Sequence, residues 1–450
     1  MTADSRRSTS LMRLSGLAIM VLIGVAIAVK AFELSIGQTE PLEPRASHPV
    51  EGHTHGVSSA DINRVHPFTF EKAISTKKYG AYSTGTYQAA WGPDSNSIAF
   101  VTLPFGRSGI ADVDTASFRD LSIPNQDDLG AATDPVWSPD GKLIAIHNAQ
   151  NLDFISTETL TVVRQFTKPD GCYLDQASIF TSDSKSLLFD CHGSAQDDDR
   201  LVMSIDLDGQ TSTLLRRQIV RGRLASQLNR GIFQRFADKI VYTNLMSYFW
   251  ADPPIRGSMK PIEYINRRIA ALRYRCLFYD AQNFAAEPSY KDFPVKEPGG
   301  IDGSGYSREA WYCARFADAA LFLVDRPNRA LMPDVTPDPK KDKAFETYKF
   351  ESGQRVAFFG GSDTPEAWST GSWDIHPERP WLVSATAYGR LPCGQETGFV
   401  TIWDATNGTV VQRILAPTGT FYARCSPDGR RLLVLGDEHN IRVYRLNDAS

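Results

Sequence analysis

One phrase recurs along this chain and constrains its fold more than any other feature. Trp137-Ser138-Pro139-Asp140-Gly141-Lys142-Leu143-Ile144-Ala145-Ile146 reads as the end of one strand, a tight turn and a second strand. Trp91-Gly92-Pro93-Asp94-Ser95-Asn96-Ser97-Ile98-Ala99-Phe100 repeats it, as does Cys425-Ser426-Pro427-Asp428-Gly429-Arg430-Arg431-Leu432-Leu433-Val434. Phe180-Thr181-Ser182-Asp183-Ser184-Lys185-Ser186-Leu187-Leu188-Phe189 is a looser copy. Pro presets the backbone for the turn, the Asp side chain bonds its own backbone two residues on, and Gly accepts the left-handed conformation. The run that follows is apolar at every position, as in a strand buried between two neighbouring sheets.

A tight turn followed by a buried strand, recurring at a period of tens of residues, is the inner hairpin of a β-propeller blade. Taking the turn acid as a ruler, Asp94, Asp140, Asp183, Asp238, Asp318, Glu378 and Asp428 mark seven turns and predict an all-β, seven-bladed β-propeller. The longest step, from Asp238 to Asp318, predicts an insertion between blades 4 and 5 over 248–306. The last copy ends after Ile441-Arg442-Val443-Tyr444-Arg445-Leu446, one strand short of a four-stranded blade. Phe68–Ser75 is expected to supply that strand and close the ring, removing an exposed edge. The phrase resembles the WD40-like repeat of TolB-type propellers, whose consensus is close to W-S-P-D-G-x-x-I-A-F. Trp403-Asp404, followed by Asn407-Gly408, resembles the strand end of WD40 repeats. The resemblance implies the fold alone, because that repeat motif holds no catalytic residue.

Leu14–Val29 is a continuous run of apolar and small residues behind Arg6, Arg7 and Arg13. With its flanks it approaches the roughly 20 residues that span a bilayer. The arginines place the N-terminus in the cytoplasm and the rest outside. The run reads as an uncleaved transmembrane signal anchor or as a secretory signal cut after a small residue such as Ala31. Residues 1–33 are therefore expected as cytoplasmic tip and membrane anchor, 34–67 as a flexible linker, and 68–450 as the propeller. His53 and His55 in the linker are candidate ligands for a divalent metal; otherwise no cofactor is expected.

Export changes the reading of six cysteines, since disulfides persist outside the cytoplasm. Adjacency in the expected blades favours Cys172–Cys191, Cys276–Cys313 and Cys393–Cys425; the competing reading is buried free thiols. The chain has 450 residues with 42% hydrophobic content, enough for one ring plus a tether. A net charge of −4 gives no general electrostatic reason to bind nucleic acid.

The expected insertion is the main departure from the repeat. It carries Trp250, a stretch read as a short basic helix with Arg267, Arg268, Arg273 and Arg275, and then Tyr306, with Trp311 just beyond. Long loops on a rigid scaffold are where binding sites tend to lie, and arginines beside aromatics suit an acidic partner, an anionic ligand or lipid head groups. No linear catalytic or nucleotide-binding motif appears. The leading reading is a non-enzymatic, exported, membrane-held propeller that binds a protein partner or scaffolds a cell-envelope complex. Two alternatives stay open. One is a periplasmic propeller enzyme or cofactor-carrying subunit, amine-dehydrogenase-like or lactonase-like; the other is a small-ligand sensor.

Overall fold

A computed structural model describes residues 67–76, 87–102, 108–123, 135–147, 151–167, 173–192, 200–207, 211–217, 232–236, 239–250, 272–283, 286–294, 312–316, 320–325, 343–361, 370–390, 396–416, 420, 422–436 and 440–447. They form seven four-stranded antiparallel sheets, the blades of a closed propeller. Blade 1 holds β2 (Tyr87–Trp91), β3 (Ser97–Thr102), β4 (Gly109–Asp112) and β5 (Phe118–Asp120). Blade 2 holds β6 (Val136–Trp137), β7 (Leu143–His147), β8 (Asn151–Ser156) and β9 (Val162–Thr167). In blade 3 are β10 (Tyr173–Phe180), β11 (Ser186–His192), β12 (Arg200–Asp206) and β13 (Thr211–Arg217). Blade 4 contains β14 (Ile232–Phe236), β15 (Lys239–Trp250), β16 (Leu272–Asp280) and β17 (Ser289–Pro294). Blade 5 follows with β18 (Tyr312–Arg315), β19 (Leu321–Asp325), β20 (Lys343–Lys349) and β21 (Arg355–Gly361). Blade 6 has β22 (Thr370–Ile375), β23 (Trp381–Arg390), β24 (Glu396–Asp404) and β25 (Thr409–Ala416).

Blade 7 takes β26 (Tyr422–Cys425), β27 (Arg431–Leu435) and β28 (Asn440–Leu446) from the end of the chain, and its outer strand is β1 (Phe68–Ser75). The strand expected to close the ring therefore does so, pairing antiparallel with β28 from Phe68↔Leu446 to Ser75↔Asn440. All seven expected turn positions fall between the first and second strands of a blade.

Each junction between blades has its own apolar layer, which explains why the repeat's second strand is apolar throughout. In β3, Ile98 and Phe100 pack against Leu433 and Leu435 of blade 7. Their neighbours Ala99 and Val101 point the other way, to Ile144 and Ile146 of blade 2. β27 divides likewise: Leu432 and Val434 face blade 6, while Leu433 and Leu435 face blade 1. Period-two alternation is present, but both faces are core.

Three expectations change. Arg273 and Arg275, at the end of the stretch 261–275 read as a short helix, lie on strand β16, Leu272–Asp280, while 261–271 lies outside the described residues. Part of the expected 248–306 insertion is blade 4 itself, supplying the end of β15 and all of β16 and β17, while 251–271 and 295–306 lie outside the described residues. The register reads plainly in the structure, Trp250↔Leu272 and Arg273↔Pro294, but the sequence there carries no copy of the phrase. Third, the described cysteines are free: Cys276 and Cys313 are buried thiols and Cys425 is a half-buried one, rather than members of disulfides. Cys172 and Cys393 lie outside the described residues, as does the side chain of Cys191. The expected membrane span Leu14–Val29 and the linker up to His66 also lie outside; among the described residues no helix is long and apolar enough to cross a membrane.

Candidate functional site

The repeated acid serves the turn. Ser138 Oγ donates to Asp140 Oδ1 at 2.7 Å and accepts from Leu143 N at 2.9 Å, while Lys142 N donates to Asp140 Oδ1 at 3.1 Å. Ser426 and Asp428 repeat this, at 2.6 Å between the side chains and 3.0 Å from Arg430 N. Gly92 has no hydroxyl, and Asp94 compensates by accepting directly from Asn96 N and Ser97 N at 3.0 and 2.8 Å. Burial alone would raise the Asp140 and Asp428 carboxyls, but the serine and backbone donors outweigh it and hold both below the usual aspartate value. These acids are consumed by the fold.

The turns also bind one another. Ser95 and Ser184 stand where the other copies have glycine, at left-handed φ values of 55° and 60°. Each hydroxyl accepts from the turn of an adjacent blade: Asp428 N to Ser95 Oγ and Asp140 N to Ser184 Oγ, both at 3.1 Å. Buried His376 donates from Nε2 to Gly429 O at 3.0 Å, and its Nδ1 accepts from Glu378 N and Arg379 N at 3.1 Å each.

The first strands line the axis and are stitched similarly. Trp91 Nε1 donates to Arg424 O at 3.0 Å and Trp137 Nε1 to Ala90 O at 3.1 Å, so each indole reaches the preceding blade at the same register. Gln234 clamps blade 5, accepting from Arg315 N at 2.7 Å and donating to Arg315 O at 3.1 Å. Arg235 donates to Phe180 O and, at 2.8 Å, to Ser182 Oγ. Asp374 accepts from Cys425 N at 2.8 Å, and Arg424 donates to Trp373 O at 2.9 Å.

The two ends of the ring are therefore unlike. One end carries the short turns between first and second and between third and fourth strands, where the carboxylates of Asp94, Asp140, Asp183 and Asp428 and the hydroxyls of Ser95 and Ser184 are committed. The other end joins second to third strands, and one blade to the next, through longer connections such as 251–271, 295–311 and 326–342. Trp250 ends β15 and Arg273 enters β16 at this second end. Arg267, Arg268, Tyr306 and Trp311 lie outside the described residues, on connections joined to that same end of blade 4. Arg275 sits within the sheet. Its guanidinium grips Asp292 through Nε at 2.6 Å and NH2 at 2.7 Å, and lies 4.0 Å over the Tyr290 ring. The Asp292 bond raises the Arg275 pKa against the effect of burial.

Next to this blade the structure gathers residues that the sequence did not single out. Lys291 and Arg315 stand 5.1 and 3.8 Å from the Phe350 ring centre, and Lys291 Nζ donates to Glu351 O at 2.9 Å. These residues come from blades 4 and 5, and no short-range pattern joins them. His53 and His55 lie outside the described residues. Among the described residues, no group of three or more His, Cys, Asp or Glu is placed to hold a metal.

Neither a family model nor a curated protein matches the chain. Solved structures do match in fold. A chain of the crystal structure of the mitotic checkpoint complex has a TM-score of 0.51 at 14% identity, covering 91% of this chain and 100% of its own length. The Cps50 (Swd1) β-propeller domain of Myceliophteria thermophila has a TM-score of 0.53 at 10% identity, covering 85% of this chain and 100% of that domain. Hydrazine synthase of Kuenenia stuttgartiensis has a TM-score of 0.51 at 10% identity, covering 80% of this chain and 94% of that one. The chain is thus a seven-bladed β-propeller with fold-level likeness to WD40 structures. Function has to be argued from its surfaces.

Proposed function

We propose that this protein is an exported propeller, held to the membrane by Leu14–Val29, that serves as a docking platform for a protein partner in the cell envelope. The observation that carries the reading is the inequality of the two ends of the ring. At the turn end, Ser95, Ser184 and His376 hold neighbouring blades together and the turn acids are bonded within their own turns. The longest connections, such as 251–271, 295–311 and 326–342, leave from the other end, and around blade 4 they carry arginines and aromatics. A rigid ring with adaptable loops on one end suits recognition, and arginine with tryptophan and tyrosine suits the centre of a protein interface. The basic residues favour an acidic partner, and the arginine-flanked apolar run supports membrane attachment with the ring outside.

The test is a mild-detergent purification of the full chain from its native membranes, with metal and cofactor analysis of the same sample. A stoichiometric protein partner that dissociates in high salt, and is lost from the double variant Arg267→Glu/Arg268→Glu, supports the reading. Recovery of the chain alone with about one equivalent of bound metal or organic cofactor replaces it with the enzyme or cofactor-carrier reading. Recovery in the soluble fraction removes the anchor.

A further inference from the structure

We infer that Ser178 and His147 form a nucleophile–base pair in the wall of the axial channel, able to cleave a small carboxylic ester through an acyl-serine. Ser178 Oγ and His147 Nε2 are 2.8 Å apart, inside the roughly 2.6–3.2 Å over which a base takes the proton of its nucleophile. The pair spans a junction: His147 ends the second strand of blade 2, and Ser178 is on the first strand of blade 3. His147 is 2% exposed, whereas Ser178 is half-buried on a strand that lines the axis. The hydroxyl is therefore the member that a molecule in the channel meets, with the imidazole behind it.

The repeat shows that the fold does not need this pair. Blades align on the turn bonds from Thr181 N to Ser186 O, from Gly92 N to Ser97 O and from Ser426 N to Arg431 O. In that alignment Ser178 corresponds to Ala89 of blade 1 and Ala423 of blade 7, and His147 corresponds to Leu435 and, in blade 6, Ala385. Ala89 and Leu435 share the apolar layer between blades 7 and 1, and Ala423 and Ala385 the layer between blades 6 and 7. Burying an imidazole and a hydroxyl where alkyl groups suffice carries a desolvation cost with no packing return. The first strand is also irregular here. Leu174 pairs with Cys191 and Ser178 with Phe189, so residues 175–177 lie opposite Asp190 alone, a break that the first pairings of blades 1 and 7 lack. Bulges recur beside active sites, where they re-aim a side chain. They also take backbone N–H groups out of the ladder, donors of the kind an oxyanion needs.

In the reaction, Ser178 Oγ bonds to the ester carbonyl carbon as its proton passes to His147 Nε2. The bond from that carbon to the leaving oxygen breaks, and the alcohol takes the proton from Nε2. Water, deprotonated by the same nitrogen, then releases the acid and restores the serine, so ester and water become acid and alcohol. The pair lies between blades 2 and 3, apart from the connections of blade 4, and is independent of the partner reading.

The experiment incubates the full chain in detergent with a fluorophosphonate, maps adducts by peptide mass, and follows hydrolysis of p-nitrophenyl acetate by the same sample. Expected is a covalent adduct on Ser178, with hydrolysis blocked once it forms. Ser178→Ala should lose both, and His147→Leu should slow both by about 100-fold or more. The double variant Ser178→Ala/His147→Leu reproduces the Ala89–Leu435 pairing, and its melting transition separates lost chemistry from lost folding. The inference is overturned if Ser178 of the unaltered chain takes no adduct, or if His147→Leu is labelled as fast as the unaltered chain. Hydrolysis that persists in the folded double variant also overturns it.

Discussion

Where the fourth turn position is glycine, it is favoured for two separable reasons, and Gly141 and Gly429 tell them apart. Gly141 has φ +72°, and an added Cβ would meet nothing closer than Pro93 Cγ at 3.4 Å. Gly141→Ala should therefore cost only the left-handed penalty, about 1 kcal/mol. Gly429 has φ +67°, and there a Cβ would lie 2.5 Å from His376 Cε1, whose ring is locked by three hydrogen bonds. Gly429→Ala should cost about 3 kcal/mol or more, since the buried ring cannot withdraw. Denaturant unfolding of the two variants measures the difference; equal losses would show that the His376 contact is slack. The same histidine gives a pH signature. Burial, followed by the positive charge of Arg379, lowers its pKa below the ordinary 6.5, although the Gly429 carbonyl opposes this. A proton on Nδ1 would face two backbone N–H donors. The unfolded chain takes up that proton more readily than the native one, so stability is fully present above about pH 6.5 and falls below it. Melting midpoints should decline between pH 7 and pH 5, and the decline should flatten in His376→Asn.

At the scale of strands, each blade is held to the next by a few side-chain bonds to backbone as well as by its apolar layer. Trp137→Phe keeps the ring packing and removes only the bond to Ala90 O. A loss of about 1 kcal/mol is expected, and Phe180 already stands at the corresponding place in blade 3. Gln412 matters more. Its carboxamide accepts from Phe68 N at 2.8 Å and donates to Phe68 O at 2.6 Å, joining β25 to the closing strand. Gln412→Ala leaves two buried backbone groups unpaired and should cost about 2–3 kcal/mol. A loss no larger than that of Trp137→Phe would show that water replaces the amide.

For the ring as a whole, closure rests on β1. Glu71 lies between Arg445 at 2.8 Å and Arg431 at 3.3 Å, and Arg431 also reaches Asp114 of blade 1 at 2.6 Å. Burial would raise the Glu71 pKa, but the Arg445 hydrogen bond and the Arg431 charge outweigh it and leave the carboxyl lowered. Its contribution is present above the ordinary glutamate value of 4.5 and is lost as pH falls through the lower native one. Deleting 67–75 should expose both the β28 edge and the apolar faces that β1 covers. The expected outcome is a cooperative loss of the whole ring, read as a collapse of the melting transition rather than a local change in protease sensitivity. A protein that melts normally without β1 would show that seven blades close on three strands in the last.

The local chemistry of Pro, Asp and Gly was sufficient to place the hairpins, because turn preference acts within a few residues. Four such hairpins, three decayed ones marked by Asp238, Asp318 and Glu378 before an apolar strand, and one missing strand were sufficient to read a closed ring, since a blade with an open edge is costly. The sequence therefore determined the blade number, the turns and Phe68–Ser75 as closure. The outer half of blade 4 escaped it: Leu272–Asp280 and Ser289–Pro294 carry no repeat phrase, and their pairing is set by contacts many residues apart. What each side chain touches across a junction was likewise beyond reach. That Ser95 accepts from Asp428, that Gln234 clamps Arg315, and that Cys276 and Cys313 share one buried apolar layer are all results of stacking blades. Only the tertiary structure decided them, because the angle and spacing between sheets depend on the whole closed ring rather than on any segment of it.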